Sequence, residues 1–254
     1  MFRKEFPRLY ELRDQIEDPK SLNVFWRDFD VKLKDAVLRK TCRPYENALQ
    51  TLDLDAWDSL KKEASAYQTI WDEENGRGQQ QVIDILNQAR AYTYLRNEIG
   101  CSDIHFIARS TAKGIKTPDL KGALGNIKVI CEVKTINPSK DEVLRRLHGN
   151  TVRNEYIPLG QGFFNKLIYD IEVAKNQMEA YGKDKRALHI VYIILNLDNF
   201  WGEDKEKHYQ EIDKYLGDNE NRIHGIKIVF HNQPIGFPAH ITMKFATVVN
   251  EADC

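Results

Sequence analysis

The sequence predicts an α/β fold, a mixed sheet flanked by helices with a helical extension in front of it. Three observations predict it. Apolar residues recur at helical spacing near 82–95 and again over 163–181. Between those helices lie three segments with strand character. A later run, Leu188–Leu197, is apolar on both faces, as a strand inside a sheet is. The order from residue 79 to residue 197 is therefore helix, three strands, helices, strand.

Residues 1–75 read as helical and heavily charged, with one apolar stripe of Leu33, Val37 and Leu38 and another of Leu60, Ala64 and Tyr67. They show no recognisable chemistry. Asn75-Gly76-Arg77-Gly78 is the clearest break in the first half. It divides the helical N-terminal extension (1–75) from a core (76–200). A C-terminal extension of helix and strands (201–254) follows.

In the core, Val82, Ile83, Ile85, Leu86, Ala89 and Leu95 give an amphipathic helix from Gln79, stopped by Gly100. The first strand covers Asp103–Arg109 and the second Ile115–Leu124. Gly125-Asn126 is a two-residue hairpin turn, because glycine at its first position accepts φ > 0. The third strand, Ile127–Ile136, is the most β-like run and ends before Pro138. Ser139 to Glu142 reads as a capping box opening a helix to about Leu147. After a loop at 150–162 comes a long helix, Phe163–Tyr181, with Phe164, Leu167, Ile168, Ile171, Ala174 and Met178 inward, closed by Gly182. Beyond the central strand lie a charged helix near 204–216 and strand candidates at 226–231 and 240–249.

The 254 residues suffice for one full α/β domain. Lys+Arg (37) and Asp+Glu (38) nearly cancel, so any basic surface for nucleic acid is local. Cys42, Cys101, Cys131 and Cys254 have no CxxC spacing, which argues against a zinc knuckle and fits a reducing compartment. The opening MFRKEFPRLYELRD lacks a signal-peptide core, and no stretch approaches the length of an apolar span. A soluble, cytoplasmic protein without a membrane partner is expected.

The residues with chemistry sit around the hairpin. Side chains on a strand alternate, so Glu132 and Lys134 share a face and Val133 points away. Facing residue numbers across the turn sum to about 251, which sets Asp119 opposite Glu132. Two carboxylates so placed repel unless a cation joins them. Oxygen donors open to water suit Mg²⁺, with Mn²⁺ as substitute, better than Zn²⁺. Lys134 would then hold the attacking water and offset charge at phosphorus.

Thr117-Pro118-Asp119, a gap of twelve residues, and Glu132-Val133-Lys134 resemble the PD-(D/E)XK signature of the restriction-endonuclease-like nucleases. The resemblance covers about half the chain and implies an αβββαβ core. It implies metal ligation by Asp119, Glu132 and the Val133 carbonyl, with Lys134 beside the nucleophilic water. Many members carry a glutamate early on the first helix. Here Gln79 holds that place, with Gln80, Gln81 and Asp84 as alternatives. Exonuclease-type members also carry QxxxY on the later helix, matched by Gln177 and Tyr181. That pair is expected to hold substrate. Lys121, Arg145 and Arg146 are further candidates for phosphate contact, as are Lys166 and Lys175, although solvated charge is the default for each.

The bland reading of Asp119, Glu132 and Lys134 is an ion pair on a solvated sheet face. Asp18-Pro-Lys20 and Asp30-Val-Lys32 show that the tripeptide alone is weak. Only Glu132-Val-Lys134 lies in a strong strand behind a Pro-Asp segment. His148 and His189 are expected to be structural, and the four tryptophans to be core or interface residues. The expected function is a Mg²⁺-dependent nuclease hydrolysing DNA phosphodiester bonds. The alternative is a nucleic-acid-binding or assembly protein on the same fold with little or no catalysis. RNA stays open as a substrate, and a homodimer is compatible with the pattern.

Overall fold

The structure is a computed structural model describing residues 2–16, 23, 25–69, 79–110, 116–137, 156, 158–182, 186–195 and 205–232. The described residues form an α/β protein with a mixed open sheet of five strands. By compactness the chain separates into two units. Of the described residues, the first holds those within Met1–Thr111 and Asp119–Val129, and the second those within Ala112–Pro118 and Ile130–Gln233.

In the first unit, a short helical turn at Phe2–Lys4 precedes α1 (Pro7–Arg13). Pro7 suits a first helical turn, where its missing N–H has no partner to lose. The next amides, Arg8 and Leu9, donate to the carboxylate of Glu46 at 3.0 and 2.9 Å. Glu46 is 2 % exposed and reaches across from α3 (Ala36–Thr51). Its two acceptor oxygens thus cap a helix other than its own.

Helix α2 (Phe29–Lys32) is a single turn, and α3 restarts after Asp35, whose side chain accepts from the amides of Val37 and Leu38. This cap corrects the expected Leu33/Val37/Leu38 stripe. Leu33 is buried at the end of α2, whereas Val37 and Leu38 sit on the first turn of α3, 60 % and 44 % exposed. Leu33 and Val37/Leu38 lie on either side of a helix boundary, and each helix has its own phase. Leu60 and Ala64 on α4 (Leu54–Ser65) are buried as expected, and Tyr67 is half-buried.

Helix α5 (Gln79–Tyr94) buries Val82, Ile85, Leu86 and Ala89. It runs on into a π-helical turn, Leu95–Ile99, and Gly100 closes it at φ +79°. The N-terminal helices pack against α5 through polar contacts as well as apolar ones. Tyr92 donates to Asp53 Oδ2 at 2.7 Å, and Arg96 Nη1 to the Thr51 carbonyl at 3.0 Å.

Strand β1 (Ser102–Phe106) is shorter than expected and pairs antiparallel with β2 (Leu120–Leu124). β2 starts later than the expected Ile115. Pro118 cannot donate to a ladder, so regular pairing begins beyond it. The turn to β3 (Ile127–Ile136) has Gly125 at φ +56°. Among the described residues Asn126 is not one with positive φ, as a turn with glycine first requires.

The second unit contains α6 (Gln161–Tyr181), β4 (Leu188–Leu195), α7 (Lys205–Asp218), the single turn α8 (Glu220–Ile223) and β5 (Lys227–Asn232). The strands follow chain order across the sheet, so β4 lies inside it, as its apolar character requires. β4 and β5 are parallel, and α7 and α8 supply the crossover that parallel neighbours need. Leu167, Ile171 and Met178 of α6 pack with Val191 and Ile193 of β4 and Ile212 of α7. Gly182 ends α6 with φ −103°, so it is not there for left-handed backbone. A Cβ at that position would meet Ile130 Cδ1 at 2.4 Å. The expected helix at 139–147 and strand at 240–249 lie outside the described residues.

Candidate active site

The second unit assembles three of the expected residues. Glu132 and Lys134 stand two positions apart on β3, and alternation puts both on one face. Lys134 Nζ donates to Glu132 Oε1 at 2.6 Å. Gln177, from the fifth turn of α6, donates through Nε2 to Glu132 Oε2 at 2.9 Å and to the Thr117 carbonyl at 2.5 Å. Two acceptors on one nitrogen fix which end of the amide faces the carboxylate. Glu132 is 4 % exposed and the Lys134 side chain 22 %. The bland reading therefore needs correcting in one respect: the ion pair exists, but its carboxylate is not on a solvated face.

In the first unit, Asp119 lies at a bend one residue ahead of β2, not within the strand as expected. Its carbonyl accepts from Ile107 N–H at 2.8 Å, continuing the β1–β2 pairing by one position. Its carboxylate accepts from Gln88 Nε2 at 3.0 Å. Gln88 comes from α5 and is 7 % exposed. Sequence reasoning missed Gln88, because no local pattern marks its partner. Asn87 and Gln88 are buried amides within the buried stretch Ile85–Ala89, and a buried amide needs a specific partner.

Arg109 was missed as well. Its guanidinium pairs with Glu63 Oε1 at 2.7 Å and lies over the Tyr67 ring, 5.5 Å from the centroid. Burial works against its charge. The fields of Glu63, Tyr67 and Asp119 outweigh that and raise its pKa.

Of the remaining candidates, Gln79 is the first residue of α5, and its side chain lies outside the described residues. Among its alternatives, Gln80 donates to Asp84 Oδ1 at 2.9 Å. Tyr181 ends α6, one turn beyond Gln177, and is 36 % exposed. Lys121 is exposed on β2, and Lys166 pairs with Asp170 at 2.5 Å. Val133 lies within β3 between Glu132 and Lys134. Arg145, Arg146 and His148 fall outside the described residues. His189 is buried on β4, and Trp26 and Trp57 are core residues as expected.

Carboxylate oxygens are donors of the kind a hard divalent cation takes. Each candidate acid, Asp119 in one unit and Glu132 in the other, accepts a hydrogen bond from a glutamine on a helix. Metal-ligating carboxylates are typically oriented by such outer partners. A carboxylate offers about four acceptor sites, so the bonds from Lys134 and Gln177 are compatible with ligation. Among the described residues no group of three or more His, Cys, Asp or Glu gathers to hold a metal. No helix among them is long and apolar enough to cross a membrane. No family model matches the chain, and neither a curated protein nor a solved structure matches it.

Proposed function

We propose that the chain is a divalent-metal-dependent nuclease of the PD-(D/E)XK kind, hydrolysing phosphodiester bonds in DNA. The observation that carries the reading is Glu132, a nearly buried carboxylate held between Lys134 and Gln177. Those are the acid and lysine of the ExK signature together with the glutamine of QxxxY. Mg²⁺ bound by Asp119, Glu132 and the Val133 carbonyl would supply Lewis-acid charge at the phosphate and a more acidic water. The chain's own groups do the rest. Lys134 bears the positive charge that faces the attacking water and offsets the charge developing on phosphorus. Gln177 and Gln88 orient the two carboxylates. Pairing of Asp119 with Glu132 across the hairpin is the part of the reading drawn from the sequence.

One observation favours the second reading, a nucleic-acid-binding protein without catalysis. Lys134 already balances the charge of Glu132 within hydrogen-bond distance, as in a structural ion pair. Calorimetry with Mn²⁺ and nicking of supercoiled plasmid in Mg²⁺ or Mn²⁺ separate the two. The nuclease reading expects both signals in the wild type, and loss of both in Asp119→Ala and Glu132→Ala. A wild type that binds Mn²⁺ and DNA but cuts nothing gives the lead to the second reading.

A further inference from the structure

We infer that Arg109, on the segment that runs past Asp119, contacts the phosphodiester backbone, and that the helical N-terminal segment sets it in place through Glu63 and Tyr67. The inference rests on the nuclease reading and adds a residue to it. Because Ile107 N–H bonds the Asp119 carbonyl at 2.8 Å, the chain leaving β1 runs beside Asp119 and reaches Arg109 two residues later. Asp119 also contributes to the field at the guanidinium. The arginine is held at one edge and one face. Nη2 is 2.7 Å from Glu63 on α4, and the Tyr67 ring lies beneath, yet the side chain stays 65 % exposed.

An exposed ion pair of this kind contributes little to stability. It does fix a long side chain that would otherwise sample many rotamers, so less order remains to be imposed when an anion arrives. A guanidinium has five N–H donors in a planar fork, and an edge turned away from Glu63 can take two phosphate oxygens side by side. The chemistry calls for such a group. With a formal net charge of −1, the chain has no general attraction for a polyanion, and the candidate acids repel one. The segment before residue 76, which the sequence reading left without chemistry, thereby acquires a role. Glu63 and Tyr67 are positioning residues, and Arg109 touches the substrate.

The test compares wild type, Arg109→Ala, Arg109→Lys and Glu63→Gln. Each is assayed for binding a fluorescein-labelled DNA duplex in Ca²⁺ across a salt series, and for cleaving it in Mn²⁺. Arg109→Ala should lower the magnitude of the log–log salt slope by about 0.9, one phosphate contact. Its kcat/KM should fall about 10- to 100-fold. Arg109→Lys should keep the slope but lose most of the cleavage, because lysine lacks the fork. Glu63→Gln should keep the slope and the melting temperature while lowering kcat/KM, a split that a merely structural role does not produce. An Arg109→Ala protein with wild-type slope and cleavage overturns this inference alone. Wild-type cleavage by Glu63→Gln overturns the positioning half. A wild type that neither binds nor cuts DNA overturns the nuclease reading and this inference with it.

Discussion

Removing the Lys134 ammonium tests structure and chemistry in one protein. Glu132 is 4 % exposed, and Lys134 Nζ lies 2.6 Å from its Oε1. Deleting one member of a buried pair costs about 3–5 kcal/mol, mostly because the other charge stays buried. Gln177 still donates to Glu132, and the 22 % exposure of Lys134 lets water approach, so the low end applies. At roughly 2–4 °C per kcal/mol for a chain of this size, a loss of about 3 kcal/mol lowers the melting temperature by about 6–12 °C. Lys134→Met, which keeps the stem, and Lys134→Ala should both show it in EDTA. Mn²⁺ should then raise the melting temperature of either variant at least as much as that of wild type, because a cation at Glu132 replaces the missing charge. At a hundredfold its Kd such a ligand adds about 2.7 kcal/mol. Plasmid nicking should fall by about 10²–10³ whether or not stability is restored. A variant melting within about 1 °C of wild type in EDTA refutes the stabilising pair, and undiminished nicking refutes the catalytic lysine.

Three further predictions concern the frame around the site. Glu46→Ala leaves the amides of Arg8 and Leu9 without their acceptor and should cost about 3 kcal/mol in urea unfolding, with Glu46→Gln costing less because one oxygen remains. Asp53 has its carboxyl held below the usual range by the Ala56 amide and then the Tyr92 hydroxyl. A depressed folded-state pKa stabilises above the ordinary value of about 3.9 and is lost as pH falls through the folded value. Asp53→Asn keeps a capping side chain and should flatten the fall of melting temperature below about pH 4. Gly182→Ala, whose Cβ would press on buried Ile130, should destabilise by about 1–3 kcal/mol despite its ordinary φ, and an unchanged melt would show that Ile130 yields freely.

What was legible in the sequence follows the range of the forces involved. β3 has the bounds its β-branched run implied, β4 is buried on both faces, and Gly125 takes the positive φ its turn needs. Those features depend on neighbours within a few residues. The Glu132–Lys134 contact was legible for the same reason, since strand alternation places i and i+2 together. Gln88, Arg109 and Glu46 were not. Each acquires its meaning from a partner 31, 46 or 38 residues away, and no local period marks such a pairing. Val37 and Leu38 misled because an aspartate cap reset the helical phase just before them.

A buried ion pair is a weak device for stability, and that bears on the role proposed for Glu132 and Lys134. Replacing such a pair with apolar residues of similar volume is often neutral or stabilising. β3 is well suited to the exchange, because Val129, Ile130 and Cys131 beside the pair are fully buried. A strand selected only to hold the fold would do as well with two apolar side chains there. The double substitution Glu132→Leu with Lys134→Met should therefore melt at or above the wild-type temperature, while each single change melts below it. Gln177 keeps the Thr117 carbonyl as acceptor, so its amide is not orphaned by the exchange. The same double variant should bind no Mn²⁺ and nick no plasmid. Gain of stability with loss of function is the mark of a site that carries its charges for chemistry. A double variant that loses more than about 2 kcal/mol, while metal binding and nicking persist, would make the pair a structural element and move the chemistry elsewhere.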